Sequence, residues 1–222
     1  MKQYLPLLRN CTLFDDIQDE EILTMLDCFQ VNPLSFSKGE IIFTEGECAD
    51  FFGIVLCGKV QIERIDFYGN RSIMADVEQG ELFGESFACA GAAVWPVNVV
   101  ASEDSEVILI NCHRISEPCS KACAFHGRMI FNLMKIISVK NLILHQKIEI
   151  ISKRTTREKL MTYLLIQAKK HGSSFTIPYD RQSLADYLEV DRSGLSAEIS
   201  KLRKEGILES SKNRFTLLQY KE

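Results

Sequence analysis

The chain has 222 residues, 46% of them hydrophobic, which is enough apolar mass for one large core or two modest ones. Its formal net charge of −4 conceals an asymmetry: residues 1–151 hold 12 Lys/Arg against 21 Asp/Glu, and residues 152–222 hold 14 against 9. No apolar run approaches the ~18 residues of a membrane span, and the start MKQYLPLLRNC lacks the sustained apolar stretch of a secretory signal, so no membrane-spanning helix and a cytoplasmic protein with reduced thiols are expected.

An opening helix is predicted from Asp19 to Phe29, and short apolar runs then recur between glycines. They are Ile41 to Phe43 after Gly39, Phe51 to Leu56 before Gly58, Val60 to Ile65 before Gly69-Asn70 and Ser72 to Val77 before Gly80, with Val97 to Ala101 and Glu106 to Ile110 completing the set. Strands at this spacing predict an antiparallel sandwich or barrel, and Gly69-Asn70 is a natural hairpin turn.

All eight cysteines lie at or before position 123. Cys119, Cys123 and His126 fall at i, i+4 and i+7, on one helix face, with Cys112 just before them. Thiolate and imidazole on one stripe can ligate zinc or a cluster, and neighbouring thiols can sense oxidants. The same pattern also arises from buried cysteines and a hydrogen-bonded histidine. Cys112, Cys119, Cys123 and His126 are therefore redox candidates, and no metal site and no cofactor are assigned.

From about Cys119 to Ile151 the pattern predicts one long helix. Ile130, Met134, Ile137, Asn141, Leu144, Ile148 and Ile151 step by 4, 3, 4, 3, 4, 3, the alternation of a coiled-coil seam, with Asn141 at an a position where a buried Asn fixes a parallel two-stranded register. A second stripe through Leu133, Ile136 and Ile143 would face the chain's own body. A homodimer through this helix is expected.

Thr155, followed three residues later by Glu158, is a capping box that opens a helix through Leu160, Leu164 and Leu165 to Lys170. The run DRQSLADYLEVDRSGLSAEISKLRKEG from Asp180 to Gly206 then reads as two short helices around a tight turn. Leu184, Ala185 and Leu188 form one apolar face, and Leu195, Ile199 and Leu202 form the other. Asp180 and Asp191 are placed to cap them. Exposed on the second helix are Arg192, Ser193, Ser196, Ser200 and Lys201, which is the pattern of a helix-turn-helix. Gly206 ends that helix, and Ile207 to Ser210 and Arg214 to Leu217 predict a hairpin with Lys212 and Arg214 at its tip, with Phe175 to Ile177 as a third strand. A basic C-terminal part with this motif points to nucleic acid.

The ordered set GEIIFTEGE at 39–47, FFGIVLCGKVQI at 51–62, GELFGE at 80–85, the long helix and the winged helix-turn-helix resembles the Crp/Fnr family of bacterial transcription regulators over essentially the whole chain. The resemblance implies an α+β chain: an N-terminal antiparallel β-roll of the cyclic-nucleotide-binding type (a double-stranded β-helix or jelly roll) at 1–117, a dimerisation helix at 118–151 and a winged helix-turn-helix at 152–222. In cyclic-AMP-binding members the pair resembling Gly84-Glu85 holds the ribose and a later Arg-Ser pair holds the phosphate; without a gap that second pair falls on Trp95 and Pro96. An indole offers one donor and no charge, so the effector is expected not to be cyclic AMP, and Trp95 is either core or an aromatic wall for an apolar effector. Oxygen-sensing members use an N-terminal cysteine cluster, whereas here Cys11 stands alone in the first 27 residues.

On the DNA side, the resemblance sets Arg192 against guanine, while Ser193 stands where relatives often have Glu and Ala197 where they have Arg. Arg181, Gln182 and Lys201 are assigned to phosphates. Glu189 occupies a turn position often held by glycine and is strained if its φ is positive. The implied function is a dimeric, effector- or redox-controlled transcription regulator of palindromic DNA, with no enzymatic activity, an unidentified small-molecule effector and RNA polymerase as a candidate partner. The competing class is a small-molecule-binding or enzymatic β-roll with no DNA role.

Overall fold

The computed structural model describes residues 1–65, 67, 68, 71–116 and 124–218. They form two compact units, Met1–Val139 and Lys140–Glu222, with the division inside one helix. Among the described residues no helix is long and apolar enough to cross a membrane.

The first unit opens with α1 (Leu5–Leu8) and α2 (Asp19–Cys28). Gln18 and Glu21 form a reciprocal capping box that starts α2, and Asp19, Glu20 and Glu21 crowd its first turn, where the helix dipole favours negative charge. The strands follow: β1 (Leu34–Phe36), β2 (Ile41–Phe43), β3 (Phe51–Cys57), β4 (Val60–Ile65), β5 (Arg71–Val77) and β6 (Leu82–Phe83), then α3 (Glu85–Cys89), β7 (Asn98–Ala101), β8 (Ser105–Asn111) and α4 (Cys112–Ser116). They pair antiparallel into two four-stranded sheets, ordered β1-β8-β3-β6 and β2-β7-β4-β5. This is the antiparallel roll expected from the sequence. β1, β6, α3 and the short N-terminal helices were not foreseen, because runs of two to five residues carry no readable period.

β3 is buried along Phe52 to Leu56 and sits between β8 and β6. Gly53 makes that packing feasible, since a Cβ there would lie 2.0 Å from the Phe83 ring. One core gathers α2, Ile54, Ile108 and Ile110 with Met129 and Leu133; a second gathers Phe43, Val55, Phe83, Trp95 and Val99. Gly69-Asn70, expected from the sequence as a hairpin turn, lies outside the described residues. Phe67 beside it is 97% exposed.

α5 (Ala124–Ile151) contributes to both units. In the first unit, Asn132 donates from Nδ2 to the carbonyls of Leu13 at 3.1 Å and Asp15 at 2.8 Å, and Lys135 pairs with Asp15 at 3.6 Å. Leu133 and Ile136 pack on the chain's own core as the second stripe predicts, but Ile143 is exposed. Of the seam, Met134 is 61% exposed and Leu144 62%, and Ile130, Asn141 and Ile148 also lie exposed. Ile137 differs: it is half-buried against the first unit's core, since α5 rests on that core at this turn.

The second unit contains α6 (Thr156–His171), β9 (Ser174–Thr176), α7 (Arg181–Leu188), α8 (Arg192–Lys204), β10 (Leu208–Ser211) and β11 (Arg214–Leu217), the strands ordered β10-β11-β9. The capping box at Thr155 and Glu158 is formed in both directions. Leu160 and Leu164 of α6, Leu184, Ala185 and Leu188 of α7, Leu195, Ile199 and Leu202 of α8 and Phe215 of β11 make one core.

Candidate nucleic-acid interface and sensor site

Both predicted caps of the helix pair are made. Asp180 accepts from the Ser183 backbone N–H at 2.7 Å, and Asp191 accepts from that of Gly194 at 2.9 Å. Between the helices Glu189 adopts φ +52°, the left-handed conformation, and its N–H and that of Val190 close the end of α7 on Asp186 and Ala185. A non-glycine residue there stores modest strain, held by the packed helices on either side.

With Leu195, Ile199 and Leu202 buried, α8 exposes Arg192, Ser193, Ser196, Ala197, Ser200 and Lys201. Two of the hydroxyls are already engaged: Ser193 Oγ donates to Asp191, and Ser200 Oγ donates to the Ser196 carbonyl at 3.0 Å. At the hairpin, Lys212 sits at φ +53° and Arg214 is exposed. Arg181 is half-buried: its guanidinium lies 5.7 Å from the Phe215 ring centroid and donates to the Lys212 carbonyl at 3.4 Å, so it ties α7 to the hairpin. Gln182 is exposed and donates to Asp186 at 2.8 Å.

Between α8 and the hairpin lies an open groove of about 810 Å³ lined by Ser200, Arg203, Lys204, Ser210, Arg214 and Thr216 among others. Arg203 and Lys204 were not singled out from the sequence, where they read as the cations that normally close a helix C-terminus. Only the hairpin folding back beside α8 turns them, with Arg214, into one cationic groove.

In the first unit, Gly84 has φ +80° and leads into α3. A Cβ on Gly84 would meet Trp95 at 2.1 Å, so the indole lies directly over this turn. Trp95 is 0% exposed, stacked on Phe43 at 4.3 Å between centroids and edge-on to Phe87 at 5.5 Å. It is thus a core residue and presents no wall to an open pocket; Pro96 beside it is exposed. Glu85 is 2% exposed, with the Ser86 hydroxyl 3.4 Å from its carboxylate.

Of the redox candidates, Cys119 and Cys123 lie outside the described residues. His126 packs against Phe29 and Phe125, and neither of its ring nitrogens has a hydrogen-bond partner among the described residues. No group of three or more His, Cys, Asp or Glu that could hold a metal occurs among the described residues. Cys112 has a neighbour that the sequence did not indicate: its Sγ is 3.4 Å from that of Cys89.

A two-sheet roll with a glycine–glutamate turn into a short helix, followed by a winged helix-turn-helix with a cationic groove, is the architecture of a DNA-binding transcription regulator. Residues 33–120 match the family described as the cyclic nucleotide-binding domain, and residues 158–222 match the Crp-like helix-turn-helix domain. The human cGMP-dependent protein kinase 2 is 27% identical over 110 residues, 49% of this chain; the chain spans 14% of that protein's length. The nitrogen fixation regulation protein FixK of Azorhizobium caulinodans is 22% identical over 198 residues, covering 84% of this chain and 75% of that one. Among solved structures, the c-di-GMP-responsive global regulator CLP of Xanthomonas campestris has the same fold, with a TM-score of 0.53 at 16% identity over 89% of this chain and 98% of its own. The chain belongs to the Crp/Fnr family of transcription regulators.

The three capping carboxylates give the second unit a pH signature. Hydrogen bonds lower each below its ordinary value: Asp180 from the Ser183 N–H, Asp191 from the Ser193 hydroxyl and the Gly194 N–H, and Glu158 from the Thr155 hydroxyl. A carboxylate lowered in the folded state contributes stability that is fully present above its ordinary value, 3.8 for Asp, and is lost as pH falls through the lower folded value. Asp191→Ala is expected to lower the helical melting transition by about 4–8 °C at pH 7. The gap to the parent chain closes as the pH is taken below 3.8, which circular dichroism melts across pH 2–7 would reveal.

Proposed function

We propose that the chain acts as a homodimer on a palindromic operator, with Arg192 reading guanine and the groove cations holding phosphates. The observation that carries this reading is the face of α8 left exposed by its buried leucine side, continuous with the groove of Arg203, Lys204 and Arg214. Ser193, Ser196 and Ser200 are short and partly engaged, so they read bases at close range or through water, and the operator differs from one read by Glu and Arg at the positions of Ser193 and Ala197. Lys201 and Lys212 join the phosphate contacts. Arg181 supports the hairpin from within, and Gln182 flanks it.

The exposed Ile130, Met134, Leu144 and Ile148 support a second copy as the partner of α5, with Asn141 fixing register. We assign 1–117 to sensing, 118–151 to dimerisation and 152–222 to DNA binding, in the cytoplasm, with RNA polymerase as a further partner.

Sensing is assigned to the interior around Gly84, Glu85, Trp95 and Pro96. Trp95 occupies the place where a cyclic phosphate would need a cationic partner, so an effector must displace the indole from Phe43 or bind elsewhere. A nucleotide-responsive relative such as CLP does not transfer its ligand to a chain so filled. The likeness to the kinase covers only the nucleotide-binding part, which leaves a purely enzymatic or ligand-binding roll as the weaker reading.

Selection of duplexes from a random pool by the purified chain is expected to enrich an inverted repeat. Arg192→Ala then weakens binding to it about 10- to 100-fold and relaxes one base position, from about 1–3 kcal/mol of lost discrimination. Arg203→Ala weakens all duplexes alike and reduces the salt slope by about one. An Arg192→Ala chain with unchanged base preference would refute the assignment of Arg192.

Placing a charge in the seam by Leu144→Glu is expected to convert a dimer to a monomer in sedimentation at micromolar concentration, with operator affinity falling at least tenfold. Cyclic AMP titrated against Trp95 emission is expected to produce no saturable change, and a tight, saturable shift would overturn the filled-site reading.

A further inference from the structure

We propose that Cys89 and Cys112 form a reversible dithiol–disulfide pair, a modification site of the sensor unit oxidised by low-molecular-weight disulfides. Cys89 closes α3 and Cys112 opens α4, two short helices that pack on each other although 23 residues separate the cysteines. Their sulfurs share a hydrogen bond at 3.4 Å, so a bond of about 2.05 Å needs a side-chain adjustment of little more than an ångström. The backbones on which they sit are held: the Cys112 N–H donates to the Asp50 carbonyl at 2.9 Å, and Ala88 beside Cys89 belongs to the core. Both residues have access to reagent, Cys89 being exposed and Cys112 half-buried.

The two thiols have different tasks. Desolvation on the side that faces the protein, the hydrogen bond that the Cys89 thiol shares with Cys112 and the nearby charges of Cys112 and Glu85 push the Cys89 thiol up to about 12. Cys112 is therefore the attacking sulfur. As a thiolate it displaces one thiolate from the small disulfide and is left as a mixed disulfide. Capping Cys112 removes its own contributions to holding Cys89 protonated. Cys89 then loses its proton to solvent, and its sulfur attacks Cys112 Sγ and expels the second small thiolate. In sum two protein thiols are oxidised, one small disulfide is reduced, and the two protons end on the two released thiols. The protein bond staples the end of the Glu85 helix to the segment that follows β8.

A pair of this kind in a reducing compartment forms when the thiol pool becomes oxidised and reopens when it recovers. The assignment rests on the geometry of the first unit and not on DNA binding, so its test is covalent. The reduced full chain, freed of reductant, is incubated anaerobically with glutathione disulfide, and its remaining thiols are then alkylated, digested and mapped by mass spectrometry. The expected result is a peptide pair linked through Cys89 and Cys112 that disappears on treatment with dithiothreitol. In Cys89→Ser the same treatment is expected to leave one glutathione on Cys112, while Cys57→Ser retains the link; Trp95 emission reports that each variant is folded. Full alkylation of both cysteines in the parent chain overturns the proposal, as does Cys112 linked instead to Cys119 or Cys123, or loss of the link in folded Cys57→Ser.

Discussion

The burial of Leu195, Ile199 and Leu202 along one side of α8 decides what its other side can do. Each is worth about 1.5–3 kcal/mol when taken out of water, so the helix cannot turn about its axis without exposing several kcal/mol of apolar surface. All three share a core with Leu184 and Leu188 of α7 and Phe215 of the hairpin, and the rotation of α8 is thereby set against both neighbours. Arg192, Ser196 and Ser200 then face outward as a consequence of packing, before any ligand is present. Glu189 follows from the same constraint. Its left-handed turn costs on the order of 1 kcal/mol, and the leucines on either side more than offset it.

The roll obeys a similar rule with a different result. At the position that the family resemblance gives to a partner of the cyclic phosphate stands Trp95, whose indole is drawn into the core between Phe43 and Phe87. Gly84 is then needed twice over, for its positive φ and because any side chain would collide with Trp95. Glu85 remains as a buried carboxylate beside this filled space. Burying a carboxylate is costly unless donors surround it, and the Ser86 hydroxyl 3.4 Å away is one polar neighbour of Glu85.

Period and punctuation made the second unit legible in the sequence. The 3.6-residue spacing gave the faces of α7 and α8, and Asp180, Asp191 and the Thr155–Glu158 pair marked where helices begin. Strands of the roll were readable where apolar runs stood between glycines, as at β3 and β4. β6 and α3 were too short for a period to show. The cationic groove was not readable because Arg203 and Lys204 acquire Arg214 as a neighbour only through the hairpin. The contact between Cys89 and Cys112 depends likewise on β7 and β8 intervening. Trp95 was legible as a residue type that cannot serve a phosphate, but whether it faced a cavity or the core was decided by Phe43, distant in sequence.

α5 joins these two accounts. Its first half is fastened to the roll by Asn132 and Leu133. Its last turns belong to the second unit, where Lys147 lies 4.1 Å from the Tyr187 ring centroid and Ile150 enters the core. Between and beyond these anchors the helix leaves Met134, Leu144 and Ile148 exposed, a stripe crossing the boundary at Val139 and Lys140. Ile137, the one seam residue turned toward the chain's own core, shows that a single apolar helix is shared between two demands. A helix anchored to a different core at each end, with its remaining face apolar, carries the surface that the proposed second copy would cover.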